Sequence, residues 1–455
     1  MTFFNSKELS EGVIGFAGEK LYEFPEYLKA IILIRKVSAQ VNQQLGYLHS
    51  DEADTIVKAC DELLKKNFKG EGFDQTIMRF VGKPANRMID EKISELILKN
   101  SGKTVGIQKI SLNQLTVDVT LTAQAIAIKA ALNSLGKSVK VIREELALKG
   151  VEFEDVVKCG RLGLKDSLPI RLGDEFKTHA NVLKQIEDEL AGEQNSWNCC
   201  LLGSGDLGTG LGVLPGFGHM AASLLSKELG YELKEVTDDA LTEMNNDYRF
   251  VIAHAKIQAI SVALWKLARD LTILASGPRA GIREIVLPAV APGSSIMPGK
   301  INPTVAELVM NICDKVFSNA SGLNVGIHSG WLGSGTNSSL PLKTILNSSQ
   351  LLSRACPVLR EKVIAGITAN KERCRLQAER SLVFGVLLEN VVDQDLAKRT
   401  MDRAISDALT VKEAFLKEGG NIIPGSILEE LFDIDLISTR GGTQRFMARL
   451  AKELH

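Results

Sequence analysis

Residues 293–302, GSSIMPGKIN, set two hydroxyls, a Met-Pro break, a Gly-Lys pair and an Asn in one short loop between two helix-like segments. Asn302-Pro303 reads as a helix start. Asn can cap, and Pro fits the first helical position, where its missing N–H costs nothing. The loop therefore delivers Ser294, Ser295 and Lys300 close to a helix N-terminus, whose free N–H groups and partial positive charge suit an anion such as a carboxylate. Lys300 adds a full positive charge, and Gly293 and Gly299 allow backbone approach and movement. Such residues suit an oxyanion-stabilised proton abstraction. On residue types alone the loop reads equally well as a plain inter-helix connection with a capping Asn, because short motifs produce false positives.

The elements that must position this loop are helical almost throughout. Residues 118–149 run without proline, with apolar positions at three- and four-residue intervals. Residues 251–275 are apolar on most of their surface, as a central bundle helix would be, and Gly277-Pro278 ends them. Residues 303–320 and 341–367 read as two further long helices. Strand-like alternation is confined to short pieces such as REIVLP at 283–288. The fold class is therefore all-α, built on a central long-helix bundle. Shorter, more charged helices at both ends suggest three regions: 1–110, a central bundle over 111–370, and a small C-terminal domain over 371–455. A long bundle with this much apolar surface commonly covers it with copies of itself, so a homo-oligomer is expected.

Composition narrows the classes. The chain has 455 residues, a formal net charge of −1 and 45% hydrophobic residues, enough for a large core and against a general nucleic-acid binder. No apolar run reads as long enough to span a membrane, and MTFFNSKELSEG does not read as a signal peptide, so a cytoplasmic location is expected. Seven cysteines without a C-x-x-C pair read as reduced, buried thiols. Six scattered histidines argue against a metal site, and no cofactor is expected.

Four segments share one resemblance. GSSIMPGKINP is similar to the signature loop of the fumarase/aspartase superfamily, G-S-S-x-M-P-x-K-x-N. LASGPRAGIREIVLP (274–288), GTGL (208–211) and CGRLGLKDSLPIRLGDEF (159–176) resemble further segments of that family in the same order. The resemblance implies a three-domain all-α fold, a tetrameric helical core and active sites composed from several subunits. It implies reversible anti-elimination, usually releasing fumarate. Ser294 then matches the base, and Lys300 and Asn302 match positions that bind the substrate carboxylate. A serine can act as a base only where its alkoxide is favoured by N–H groups, a helix dipole and a cation. Ser295 reads better as a hydroxyl that shapes the loop, and it joins the substrate-binding candidates on its position.

Other family segments depart from the pattern. The Thr-His or Thr-Gln pair is Leu162-Gly163, and Gly335 stands where the partner Glu would be, with Asn337 matching the final Asn. The substrate-carboxylate segment S-x-S-S-N-D is NQLTVD (113–118), in which Thr116 stands for a Ser and Asp118 matches, while Leu115 and Val117 do not. Gln114, Thr116, Asn337 and Lys165 complete the substrate-binding candidates. VGKPANRMID (81–90) replaces a hydroxyl-rich segment, leaving Asn86. His328 reads as a loop histidine, and Lys83 and Arg87 as solvated surface charges. The favoured reading is a carbon–nitrogen lyase acting like aspartate ammonia-lyase on a small carboxylate. The alternatives are a lyase on an altered substrate, a fumarate hydratase-like enzyme, or an inactive structural or regulatory paralogue.

Overall fold

The structure is a computed structural model that describes residues 23–69, 85–290, 297, 300–328, 330–333, 335, 340–419 and 422–453, with the strand backbone at 19–20 and 76–77. It divides into two compact units. Unit 1 comprises 1–138, 186–261 and 312–354, and unit 2 comprises 139–185, 262–311 and 355–455.

Unit 1 begins with helices α1 (Pro25–Gln44), α2 (Ser50–Leu64), α3 (Ala85–Ser101) and the single turn α4 (Ile107–Ile110). Isoleucines and valines on both sides of α1 are fully buried, among them Ile31, Ile32, Ile34, Val37 and Val41. The reason is that α1 packs against α2, α3 and α7 (Phe217–Leu229), which surround it. Helix α5 (Thr116–Glu152) follows. Its buried positions Ile128, Leu132, Leu135, Val139, Ile142 and Leu146 alternate steps of four and three, the spacing of a bundle seam.

Two strands then pair antiparallel, β3 (Val157–Leu162) and β4 (Lys165–Arg171), which sequence alternation alone did not reveal. The remaining strands are two residues long and form pairs: β1 (Glu19–Lys20) with β2 (Thr76–Ile77), β5 (Cys199–Cys200) with β6 (Lys234–Glu235), and β7 (Ile285–Val286) with β8 (Thr368–Ala369). The expected strand at 283–288 is thus reduced to β7. Helices α6 (Leu172–Ser196), α9 (Tyr248–Leu274), α10 (Thr304–Ile327) and α11 (Leu340–Lys362) complete the long-helix set, with the short α8 (Ala240–Met244) ahead of α9. The all-α class holds.

One helix among the described residues, α9, is long and apolar enough by length and composition to cross a membrane, contrary to the sequence expectation. Its buried positions Ala253, Ile257, Ile260, Leu264, Leu267 and Leu271 again step by four and three, so this apolar surface serves helix packing. The C-terminal part of unit 2 runs from α12 (Lys371–Glu379) through short helices to Glu453, around Phe384, Leu388, Val411, Phe415 and Leu431. All seven cysteines are free and buried, as their spacing suggested.

Candidate active site

The candidate residues fall into groups that the two units hold separately. In unit 2, Lys300 and Asn302 both lie exposed on the segment entering α10. The helix starts at Thr304, one residue later than expected. Pro303 therefore occupies the capping position, where its carbonyl accepts from Glu307 N–H at 3.0 Å. The Asn302 carbonyl accepts from Thr304 Oγ1 at 3.4 Å. Glu307 places an acid in the first turn, as the dipole favours. Ser294, Ser295 and Asn337 lie outside the described residues, as does Lys83.

Lys165 is exposed at the start of β4, opposite Leu162. Gly163 and Leu164 form a two-residue tip with φ of +55° and +63°. Positive φ at both central residues is the type I′ pattern, which matches strand twist. Gly163 meets that demand without strain. Leu162 is 76% exposed and Leu164 65%. The strands are anchored by a buried charge cluster that sequence reasoning did not find. Arg161 Nη1 donates to both Glu284 carboxylate oxygens at 2.9 Å, and Lys158 Nζ lies 3.2 Å from Glu284 Oε2. Arg161 Nη2 also donates to Gln377 Oε1 at 2.7 Å.

In unit 1, Gln114, Thr116 and Asp118 come together at the start of α5. Gln114 is engaged by protein: its Oε1 accepts from Arg35 Nη1 at 2.6 Å, and its Nε2 donates to the carbonyls of Ile110 and Leu112 at 3.2 Å. Arg35 and Asp90, both buried, pair at 2.5 and 3.0 Å. Burial pushes the Asp90 carboxyl up while Arg35 pulls it down. Thr116 is exposed as the first residue of α5.

Asp118 is fully buried. Its Oδ1 accepts the Leu115 N–H at 3.0 Å, and its Oδ2 has no hydrogen-bond partner among the described residues. Asp206, from the glycine-rich loop 203–212, accepts the Val117 N–H at 2.9 Å. Burial pushes the Asp118 carboxyl up to about 7, and Asp206 adds to the rise against backbone N–H groups of Leu115, Val119 and Gly203.

Gly335 donates its N–H to the Met244 carbonyl at 3.0 Å. A Cβ there would stand 2.7 Å from that same carbonyl oxygen and 2.7 Å from Asp247 Oδ1. The backbone thus has no room for the side chain that the family pattern expects. His328 is exposed in the turn after α10, and Arg87 reaches Glu91 at 3.4 Å along α3, the surface behaviour expected of it. A cavity of about 610 Å³ opens in unit 1 among Glu26, Ser134, Ser138, Lys343 and Arg354; no candidate residue lines it.

A lyase family model matches residues 3–318. The chain is 32% identical over 417 residues to an aspartate ammonia-lyase from Pseudomonas aeruginosa, covering 88% of this chain and 86% of that one. It is 29% identical over 433 residues to an aspartate ammonia-lyase from Escherichia coli, covering 92% and 88%. Among solved structures it resembles a fumarate lyase:delta crystallin from Brucella melitensis, with a TM-score of 0.87 at 30% identity over 96% of both chains. The fold also matches a class II fumarase from Schistosoma mansoni, with a TM-score of 0.85 at 22% identity over 95% and 94%. A family model that spans well over half the sequence, with likeness at this level along nearly the whole chain, settles the membership: the chain belongs to the fumarase/aspartase superfamily and is a lyase of that superfamily.

Proposed function

We propose that the chain is a carbon–nitrogen lyase that removes ammonia or an amine from an aspartate-like substrate and releases fumarate or a related unsaturated acid. Ser294 takes the proton from the carbon beside the carboxylate. The developing aci-carboxylate draws on Lys300 and on the N-terminus of α10, and Asn302 and Ser295 hold the same carboxylate. Thr116, Asn337 and Lys165 form the remaining substrate contacts, and Gln114, its amide held by Arg35 and the Ile110 and Leu112 carbonyls, supports Thr116 rather than reaching substrate itself. So weak a carbon acid needs this charge stabilisation more than it needs a strong base. Closure of the loop over substrate excludes water.

The observation that carries the reading is the entry to α10, where Lys300 and Asn302 stand exposed immediately ahead of a helix start. Loss of ammonia is favoured over loss of water because Gly163 and Gly335 remove the histidine and its acidic partner. Acid–base help of that kind contributes typically 10²–10⁴-fold. The active enzyme is a homotetramer in the cytoplasm, and the division 1–110, 111–370, 371–455 belongs to the same reading. The test is fumarate absorbance after addition of L-aspartate, with Ser294→Ala expected to abolish turnover. Turnover that survives the substitution overturns the role of Ser294.

A second reading, a lyase on a more apolar amine adduct of fumarate, is favoured by one feature. The hairpin tip presents Leu162, largely exposed, where the family pattern has the Thr of its Thr-His or Thr-Gln pair, with Leu164, also largely exposed, two residues on. A substrate panel distinguishes the two: N-alkylated aspartates would be turned over faster than aspartate itself.

A further inference from the structure

The start of α5 holds two carboxylates at a place that the proposed function assigns to an incoming carboxylate. Helix N-termini attract anions through free N–H groups. Here two of those groups are already taken. Asp118 Oδ1 holds the N–H of Leu115, and Asp206 Oδ1 holds that of Val117. A substrate carboxylate arriving at Thr116 therefore meets acids rather than open donors.

The two acids are not equivalent. Asp206 is exposed, and water screens it. Asp118 is fully buried with an Oδ2 that has no partner among the described residues, so a charge on it has neither solvent nor, among those residues, a cation beside it. The groups that face it are Asp206 from the glycine-rich loop, the Cys200 thiol from β5, and the backbone N–H groups of Leu115, Val119 and Gly203. Burial pushes the Cys200 thiol up to about 12, so it stays neutral and adds no charge beside Asp118. Arg35, from α1, is committed to Asp90 and Gln114. Leaving a neutral carboxyl partly unpartnered costs far less than burying an unpaired charge.

We infer that Asp118 is a positioning residue for substrate: neutral, it closes the first turn of α5 and leaves Asp206 as its neighbouring charge; ionised, it turns that helix start against carboxylates. This inference rests on the proposed role of residues 113–118. It goes beyond that role by making substrate affinity depend on one buried proton.

The test is the pH dependence of carboxylate affinity from pH 6 to 9. Fumarate binding by calorimetry and KM for the turned-over substrate are measured on the full chain. In the parent, Kd and KM rise roughly tenfold per pH unit above about pH 7 while kcat holds, because burial sets the Asp118 carboxyl near 7. Asp118→Asn keeps the acceptor for Leu115 and flattens the rise. Asp206→Asn removes the neighbouring charge and moves the break to lower pH. Circular dichroism confirms that both variants fold, and two independent variants keep the inference testable if one does not. A chain that binds fumarate with this pH dependence but turns nothing over keeps the inference and loses the lyase reading. A chain that turns over with affinity independent of pH loses the inference and keeps that reading. An Asp118→Asn profile that tracks the parent also overturns it.

Discussion

Gly335 is the residue where the chain's departure from its family has a steric cause. Its N–H donates to Met244 O, and a Cβ would press on that same oxygen at 2.7 Å. Asp247 Oδ1 also stands at 2.7 Å, and the Met244 carbonyl can retreat only by weakening its hydrogen bond. Gly335→Ala should therefore destabilise by about 1–3 kcal/mol, the usual cost of overpacking, read from urea denaturation. A change below about 0.5 kcal/mol would show that the loop yields freely. Gly335→Glu should be no better tolerated, so restoring the family acid alone will not restore water chemistry. At this scale the sequence told which residues to look at and little about their partners. The position of Lys300 and Asn302 ahead of a helix start was legible because that signal is local. Gln114 read as a substrate ligand, yet its amide is held by Arg35, 79 positions away, and Arg35 is set by Asp90, 55 positions away. Pairings that distant leave no trace in residue spacing.

The long helices were legible as elements because their apolar period extends over many turns. The expected 118–149 is Thr116–Glu152, 251–275 is Tyr248–Leu274, and 341–367 is Leu340–Lys362. The expected 303–320 continues to Ile327 as α10, running through Gly322, Asn324 and Gly326, residues that in sequence read as a stop. The β3–β4 hairpin escaped notice for the opposite reason. Its tip places Leu164 at φ +63°, where turn residues such as Asn or Gly are normally sought. Its inner surface includes charges rather than alternating apolar residues. Those charges make the hairpin testable. Glu284 is fully buried between Lys158 and Arg161, so Glu284→Gln leaves Arg161 without its counter-ion and Lys158 with Glu175 alone. The expected loss is about 3–5 kcal/mol, the range for breaking a buried pair by removing one partner. Chemical denaturation of the intact chain measures it. A loss under about 1 kcal/mol would mean that the cluster is solvated and does not anchor the hairpin.

Across the whole molecule, two buried titrating groups in unit 1 push stability in opposite directions with pH. His254 is buried and bonded through Nε2 to Ser348 Oγ at 3.1 Å, and burial pulls its imidazole down to about 4 from 6.5. Its unfolded form takes a proton first, so the stability it contributes is present above pH 6.5 and is lost as pH falls toward 4. Asp118 is raised from 3.8 to about 7. Its contribution is present below pH 3.8 and is lost as pH rises through about 7. Between about pH 4 and 6.5 the two slopes oppose and largely cancel. Each variant should uncover the other group. In Asp118→Asn, stability relative to the parent should climb with pH across that window, by on the order of 3 kcal/mol. In His254→Gln it should fall by a similar amount. Subtracting the parent at each pH removes the contribution of every other titrating group, so the difference isolates the substituted one. Unfolding free energies from urea titrations between pH 4.5 and 8 make the measurement. Two variants whose differences from the parent run parallel with pH would refute the opposed pair, because one buried group cannot supply slopes of both signs.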